Sequence, residues 1–272
     1  MCSRVVFDGT MSASRLIVAQ PPFTMGRMGA AYIAIDLGAE SGRVIVGSLA
    51  DDRLRLEEVD RFNHESQWWP TGLHWDITSI WREIVVGLRK AAEWGKANRV
   101  ELVSVGVDTW GVDWALIDKA GELVGLPHAY RDPRNPAAYE RVLAQLGAER
   151  IYQTTGIQFM PLNTLYSLYA HHLADPGAFA AADQLLFMPD LFHFWLSGNR
   201  IVEATNASTS QMVDCHTGDW AREMVSELGV PTNILGQISP PGTAIGKLLP
   251  YRNAAATSRD VARISTMRRS RG

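Results

Sequence analysis

The hydrophobic pattern of the chain becomes regular at residue 31 and begins with three strands. Residues 32–36, 42–49 and 54–62 are runs of apolar and β-branched residues, separated by short polar turns. Runs of this length between turn residues are typical of strands. The segment therefore predicts three strands that follow one another closely along the chain.

A long helix is the next element that the pattern predicts. Residues 75–98 place apolar side chains three and four positions apart, with Asp76 or Thr78 as the N-cap. Residues 100–108 return to a strand, and a hairpin around Lys119–Gly121 follows it. Strands before and after a helix predict an α/β layer with a mixed sheet.

The second half of the chain has a more helical pattern. Residues 136–152, 163–174 and 188–198 all repeat apolar side chains at spacings of three and four. Residues 231–242 are rich in proline, glycine and polar residues, which indicates a linker or the edge of a domain.

Composition is that of an ordinary globular protein. Of the 272 residues, 46% are apolar and 20% charged, and no apolar run approaches the ~18 residues of a membrane helix. Cys2 and Cys215 are the only cysteines, so the sequence indicates no disulfide framework and favours a reducing, cytoplasmic location. We expect neither a membrane nor a nucleic acid as a partner.

Both ends of the chain lack a sustained pattern. Residues 1–30 faintly resemble a transit peptide, but an internal start at Met25 or Met28 is the favoured interpretation. Residues 251–272 carry six arginines and one aspartate, whereas the rest of the chain has a net charge of −8. We expect residues 1–30 and 247–272 to be disordered, and the domain to span 31–246.

The turn between the first two predicted strands has the residues of a phosphate site. Gly38 and Gly42 permit a tight path, Ser41 adds a hydroxyl donor, Arg43 a cation and Asp36 a carboxylate. Neither a Walker loop nor a Rossmann fingerprint is present. An Asp–Gly hairpin turn with no ligand would have the same residues, so the turn alone leaves both interpretations open.

A second group of candidate residues follows the fourth predicted strand. Asp108 and Asp113 bracket Trp110, a combination of carboxylates and an aromatic face that suits a sugar. Arg131 and Asp132 stand just before a proline turn and are candidates for a polar clamp. The alternatives are a core tryptophan with capping aspartates, and an ordinary salt bridge.

Several stretches, taken in order, resemble the FGGY family of carbohydrate kinases. They cover roughly residues 31–246 and are specific only jointly. They read AIDLGAESGRV, HWDI, GVDTWGVDWALID, GLPHAYRD, IYQTTGIQFMPLNTLY, FMPDLFHFWLSG, EATNASTSQMVD and PPGTAIG. The resemblance implies an α/β fold of the actin-like ATPase, ribonuclease H-like type, with a mixed sheet and an additional helical portion.

The resemblance also implies an activity, cofactors and site residues. The family transfers the γ-phosphoryl group of ATP, with Mg²⁺, to a sugar, and the expected acceptor here is the 1-hydroxyl of L-rhamnulose. Asp36 would lie beside the metal. The ATP phosphates would be lined by Ala39, Glu40, Ser41, Gly42 and Arg43. The sugar would be contacted by Gly111, Trp110, Arg131 and Asp132.

No catalytic residue is assigned in this chain. The general base of the family is an aspartate in a His-Asp-Thr stretch shortly after the PPGT segment, and no such stretch follows here. We therefore expect a truncated kinase that lacks its C-terminal domain and is inactive alone. The alternatives are a sugar- or phosphate-binding module, a subunit completed by a partner chain, and an actin-like ATPase without a sugar substrate, which the Trp110–Gly111 segment disfavours.

Overall fold

The computed structural model describes residues 29–50, 52–249 and 261–265. Its centre is a six-stranded sheet in the order β11-β12-β6-β1-β2-β3. The strands of this sheet are β1 Ala30–Leu37, β2 Ser41–Ala50, β3 Arg53–Asn63, β6 Glu101–Asp108, β11 Ala244–Gly246 and β12 Val261–Ser265. The sheet is mixed, as predicted, because β1 pairs antiparallel with β2 but parallel with β6.

The three predicted strands at the start of the domain are confirmed as an antiparallel meander. Alternate residues of β1, among them Ile33, Ile35 and Leu37, are almost fully buried, as expected for strands that send every second side chain to one face. A crossover through α1 Ile77–Asn98 leads to β6, which pairs parallel with β1. A parallel pair requires a long connection of this kind.

Helix α1 begins where the sequence predicts and packs on the sheet through one face. Asp76 is the N-cap, and its Oδ1 accepts hydrogen bonds from the Ser79 backbone N–H and the Thr78 hydroxyl, each at 3.0 Å. Gly87 brings the helix close to the sheet, because a Cβ atom there would lie 2.3 Å from Val44 Cγ2.

The second half is helical, as predicted. Its helices are α2 Arg134–Leu146, α3 Ala148–Thr155, α4 Thr164–Ala174, α5 Pro176–Ala181, α6 Met188–Ser197, α7 Ala204–Ala207 and α8 Arg222–Glu227, with a 3₁₀ turn at Ser208–Ser210. The helix predicted over 136–152 is divided in two at Gly147, whose φ of 79° is left-handed. The described residues include no helix that is long and apolar enough to cross a membrane.

The remaining strands form small ribbons beside the main sheet. They are β4 Ser66–Trp69, β5 Gly72–Trp75, β7 Trp114–Ile117, β8 Gln184–Phe187, β9 Val202–Glu203 and β10 Ile238–Ser239. The turn predicted at Lys119–Gly121 forms, with Gly121 N–H donating to Asp118 O at 3.1 Å. The residues after this turn form an isolated antiparallel bridge, Leu123 with Ile117, whereas the full antiparallel partner of β7 is β8.

The C-terminal segment differs from the disorder predicted for residues 247–272 at two places. Leu248 is buried and Leu249 N–H donates to Leu196 O at 2.8 Å. Residues 261–265 form β12, which pairs parallel with β6 and antiparallel with β11. Ile264 is fully buried by this pairing. The physical reason is that β6 offers a second edge, and a short run with alternate apolar residues can complete it. At the N-terminal end, Ala30 of the extension predicted over 1–30 already begins β1. Residues 1–28, 250–260 and 266–272 lie outside the described part of the chain.

Candidate functional site

The turn between β1 and β2 is held by its own backbone and by an ion pair. Gly38 N–H donates to Ser41 O at 2.8 Å, which closes the turn. Arg43 Nη2 lies 2.9 Å from Asp36 Oδ2, and the two residues are register partners on adjacent strands. Both side chains are more than a third exposed, so the pair contributes little stability and can be exchanged for contacts to a ligand.

Gly42 of this turn has a packing role that the sequence did not predict. Neither Gly38 nor Gly42 has a positive φ, so neither is required for a left-handed backbone. Gly42 lies within β2 opposite Phe62, and a Cβ atom there would stand 2.4 Å from Phe62 Cζ and 2.7 Å from Leu37 Cδ2. Its missing side chain makes room for the phenyl ring.

Two carboxylates meet at the same edge of the sheet. Asp36 is the penultimate residue of β1 and Asp108 is the last residue of β6, and the parallel register places them opposite one another. Carboxylate oxygens together with water and phosphate oxygens are the ligands that Mg²⁺ prefers. Within the described residues no group of three or more histidine, cysteine or acidic side chains could hold a metal ion. The donor set therefore fits a metal that takes most of its ligands from a phosphate and water.

A cavity of about 850 Å³ opens beside the turn. Four chain segments that are distant in sequence enclose it. Its lining residues are Ala39, Glu40, Ser41, Asn63, His64, Glu65, Ser66, Gln67, Trp75, Asp76, Ser79, Ala129, Tyr130 and Arg131. A volume of this size is typical of a small-molecule site.

The structure brings some of the predicted site residues together in this cavity. Ala39, Glu40 and Ser41 from the predicted phosphate turn form one side, and Arg131 from the predicted sugar group forms another. The guanidinium carbon of Arg131 lies 5.3 Å from the centre of the Tyr130 ring. Such a cation–π contact holds the arginine at the wall of the cavity.

Other predicted site residues lie outside the lining. Asp36, Gly42, Arg43, Gly111, Trp110 and Asp132 do not line the cavity. Asp132 is 2% exposed, and its Oδ2 accepts from the Leu73 backbone N–H at 2.8 Å while its Oδ1 accepts from the Arg134 side chain at 2.8 Å. The Asp132 carboxylate therefore links β5 to the start of α2, and it forms an ion pair with Arg134.

Trp110 packs against Trp75, which lines the cavity. The two indole rings are 4.3 Å apart between centroids, and both donate their Nε1–H to Asp113 Oδ2, at 2.8 Å and 2.6 Å. The Tyr130 backbone N–H donates to the same oxygen at 3.2 Å. Burial raises the pKa of Asp113 to about 7, although the three hydrogen bonds favour the ionised form. A single buried carboxyl group thus organises the aromatic wall.

The backbone just before Asp113 is strained. Val112 has a φ of 70°, which is unusual for a β-branched residue, and Asp113 N–H donates back to Gly111 O at 3.0 Å. The Thr164 hydroxyl donates to Val112 O at 2.6 Å and holds this conformation. Strain of this kind concentrates at functional sites, because surrounding structure must maintain it.

Sequence reasoning missed the residues that fill the middle of the cavity wall. His64 and Glu65 come from the connection between β3 and β4, and Gln67 comes from β4 itself. Tyr130 was passed over in favour of Arg131 and Asp132, the two residues that follow it. A signal was present in the polar residues 63–67, which lie between two strands without the glycine or proline of an ordinary tight turn.

Solved structures with a similar fold include a xylulose kinase and a glycerol kinase. Xylulose kinase from Lactobacillus acidophilus matches 87% of this chain and 47% of that protein, with a TM-score of 0.75 and 15% identity. Glycerol kinase from Plasmodium falciparum, solved with ADP, matches 89% of this chain and 49% of that protein, with a TM-score of 0.74 and 15% identity. The chain therefore has the actin-like ATPase fold, as predicted.

The sequence comparison is more specific. Residues 31–262 match the model of the FGGY family of carbohydrate kinases, N-terminal domain, and the chain belongs to this family. The match extends past residue 246, the predicted end of the domain. Curated relatives are a rhamnulokinase from Pectobacterium atrosepticum, 43% identical over 216 residues, and one from Oceanobacillus iheyensis, 38% identical over 218 residues. The two matches cover 79% and 80% of this chain. They cover only 43% and 46% of the length of the respective relatives.

Proposed function

We propose that this chain forms the N-terminal, phosphate- and sugar-recognising half of a ketose kinase that transfers the γ-phosphoryl group of ATP to the 1-hydroxyl of L-rhamnulose. The observation that carries the proposal is the single cavity lined by Ala39–Ser41 on one side and Tyr130–Arg131 on another. Phosphoryl transfer depends mainly on holding two substrates in line and stabilising charge. The rhamnulokinase relatives support the choice of sugar.

Each group of residues has a part in this proposal. Residues Ala39 to Arg43 would hold the ATP phosphates, and Asp36 would hold Mg²⁺, whose charge offsets that of the phosphates. Arg131 would donate hydrogen bonds to sugar hydroxyls, and Trp110 with Gly111 would shape the sugar side through Trp75. Asp132 would act through the position of Arg131, since its own carboxylate is buried among Leu73 and Arg134.

We further propose that this chain alone binds the sugar but does not phosphorylate it, and that it acts in the cytoplasm. The domain would extend from 31 to at least 246, and a C-terminal kinase domain would supply the general base. The matched part of the chain, which is less than half the length of the relatives, supports this division. A non-catalytic binding module would show the same sugar binding, so a reconstitution experiment separates the two.

The test combines binding with turnover. Calorimetry with L-rhamnulose, L-fuculose and D-xylulose measures recognition, and an ADP-coupled assay with ATP and Mg²⁺ measures transfer. We expect binding with a preference for L-rhamnulose, no turnover alone, and turnover once a rhamnulokinase C-terminal domain is added. Asp36→Asn should abolish that turnover, whereas Glu93→Gln, an exposed carboxylate of α1, should not change it.

Three results would contradict the proposal in different ways. Binding of no ketose would refute the sugar function. Turnover by the chain alone would refute the division between two halves. Sugar binding without turnover after reconstitution would favour the binding module.

A further inference from the structure

His64 lies at the point where the phosphate turn meets the aromatic wall. It stands in the connection between β3 and β4, and its backbone N–H donates to Glu40 O of the turn at 3.1 Å. The residue is 8% exposed and lines the cavity. The main chain of His64 is therefore already attached to the turn that we assign to the ATP phosphates.

The imidazole ring packs against the sugar-side tryptophans. Its centroid lies 5.3 Å from that of Trp110 and 5.7 Å from that of Trp75, and 6.3 Å from that of Phe62. A displacement of the Trp75–Trp110 pair therefore acts directly on this ring, because the imidazole lies in contact with both indoles.

The two ring nitrogens of His64 lack a well-aligned hydrogen bond. Both ring nitrogens are buried, and neither has a hydrogen bond of good geometry. Burial lowers the pKa of His64, and the nearby backbone carbonyls of Gly38 and Ser41 partly oppose this. The ring is thus neutral near pH 7, with one N–H donor beside two carbonyl acceptors of the turn. Buried polar groups without partners are costly and rare, so a functional reason is expected.

We propose that His64 is a positioning residue that couples the sugar-side tryptophans to the phosphate turn. This inference rests on the proposed function. When a sugar displaces the Trp75–Trp110 pair, a small rotation of the ring aligns its N–H with the Gly38 or Ser41 carbonyl, which already lies beside it. The turn is then held in one conformation for the phosphates. Sugar binding thereby prepares the nucleotide side, and His64 contacts neither substrate's reacting atoms.

Solution NMR of the full chain during titration with L-rhamnulose tests the coupling. The reporters are the Trp110 indole N–H on the sugar side and the Gly38 and Gly42 amides of the turn. His64→Phe keeps a ring of similar shape but removes both nitrogens, and His64→Gln returns an N–H donor. His216→Phe, at an exposed histidine, is the matched control.

In the wild type we expect the indole and both glycine amides to shift with one common dissociation constant. In His64→Phe the indole should still respond, whereas the glycine shifts should fall to less than about half, because the donor is missing. His64→Gln should restore part of the response, and His216→Phe should behave as the wild type. His64→Phe should also melt no lower than the wild type, since it removes unpaired buried nitrogens.

The outcomes separate this inference from the proposed function. Glycine shifts of wild-type size in His64→Phe, or an indole response without any glycine response in the wild type, overturn the coupling and leave sugar binding intact. A wild type in which no signal responds to L-rhamnulose overturns both. If His64→Phe unfolds, a glycine response of wild-type size in a folded His64→Leu chain overturns the coupling, and a reduced one supports it.

Discussion

Replacing Asp113 by asparagine isolates the electrostatic role of the carboxyl group behind the aromatic wall. Asp113 is 3% exposed, and its Oδ2 accepts hydrogen bonds from Trp75, Trp110 and Tyr130. Asparagine keeps the shape and a carbonyl acceptor but cannot ionise. The variant therefore removes a buried negative charge while it retains most of the packing.

The expected effect depends on pH. Burial raises the pKa of Asp113 to about 7, above its ordinary value of 3.8. The folded state holds the proton more tightly than the unfolded state, so this stabilisation is fully present below pH ~4 and is lost as the pH rises through about 7. From these two pKa values, the wild type should lose about 2.5 kcal/mol of unfolding free energy between pH 5 and pH 8 through this group.

Urea unfolding followed by tryptophan fluorescence at several pH values measures the effect. The informative quantity is the difference in unfolding free energy between Asp113→Asn and the wild type, because all other titrating groups cancel in it. We expect this difference to change in favour of the variant by about 2.5 kcal/mol from pH 5 to pH 8. Glu93→Gln, at an exposed carboxylate, should show no such trend.

A difference that is constant across this pH range would refute the reasoning. It would mean that Asp113 has an ordinary pKa in the folded protein, and that the hydrogen bonds from the indoles compensate fully for its burial. A trend of opposite sign would mean that the carboxylate form is the one that the fold stabilises.

Gly42→Ala should lower the unfolding free energy by about 1–3 kcal/mol, because its Cβ atom would lie 2.4 Å from Phe62 Cζ. Gly38→Ala is the matched control: its Cβ atom would have its nearest neighbour at 3.4 Å, and equal melting temperatures for the two variants would count against the steric argument. Burial lowers the pKa of His171 to about 4 and that of His128 to about 3. As the pH falls, the unfolded state takes up these protons before the folded state does, so the unfolding free energy should decrease below pH ~6.5. For His171 the decrease should be about 2 kcal/mol between pH 7 and pH 5, and His171→Gln should reduce it in thermal melts.

The sequence by itself was sufficient to predict the local elements from β1 to α1. Alternation predicted β1, β2 and β3, and helical spacing with Asp76 at the N-cap predicted the start of α1. These features depend on neighbours within a few positions, so a single chain segment contains the information. The family followed from several stretches that are specific only together, and the match over residues 31–262 confirms it.

The contents of the site were decided by the tertiary structure. Arg131 and Asp132 are adjacent in the chain, yet one lines the cavity and the other is buried against β5 and α2. Likewise, Gly42 serves the packing of Phe62, and His64 reaches the turn from another strand. Residues 261–265 become a strand because β6 has an edge to pair with. In each case the deciding partner lies far along the chain, and local propensity carries no information about which distant side chains will meet.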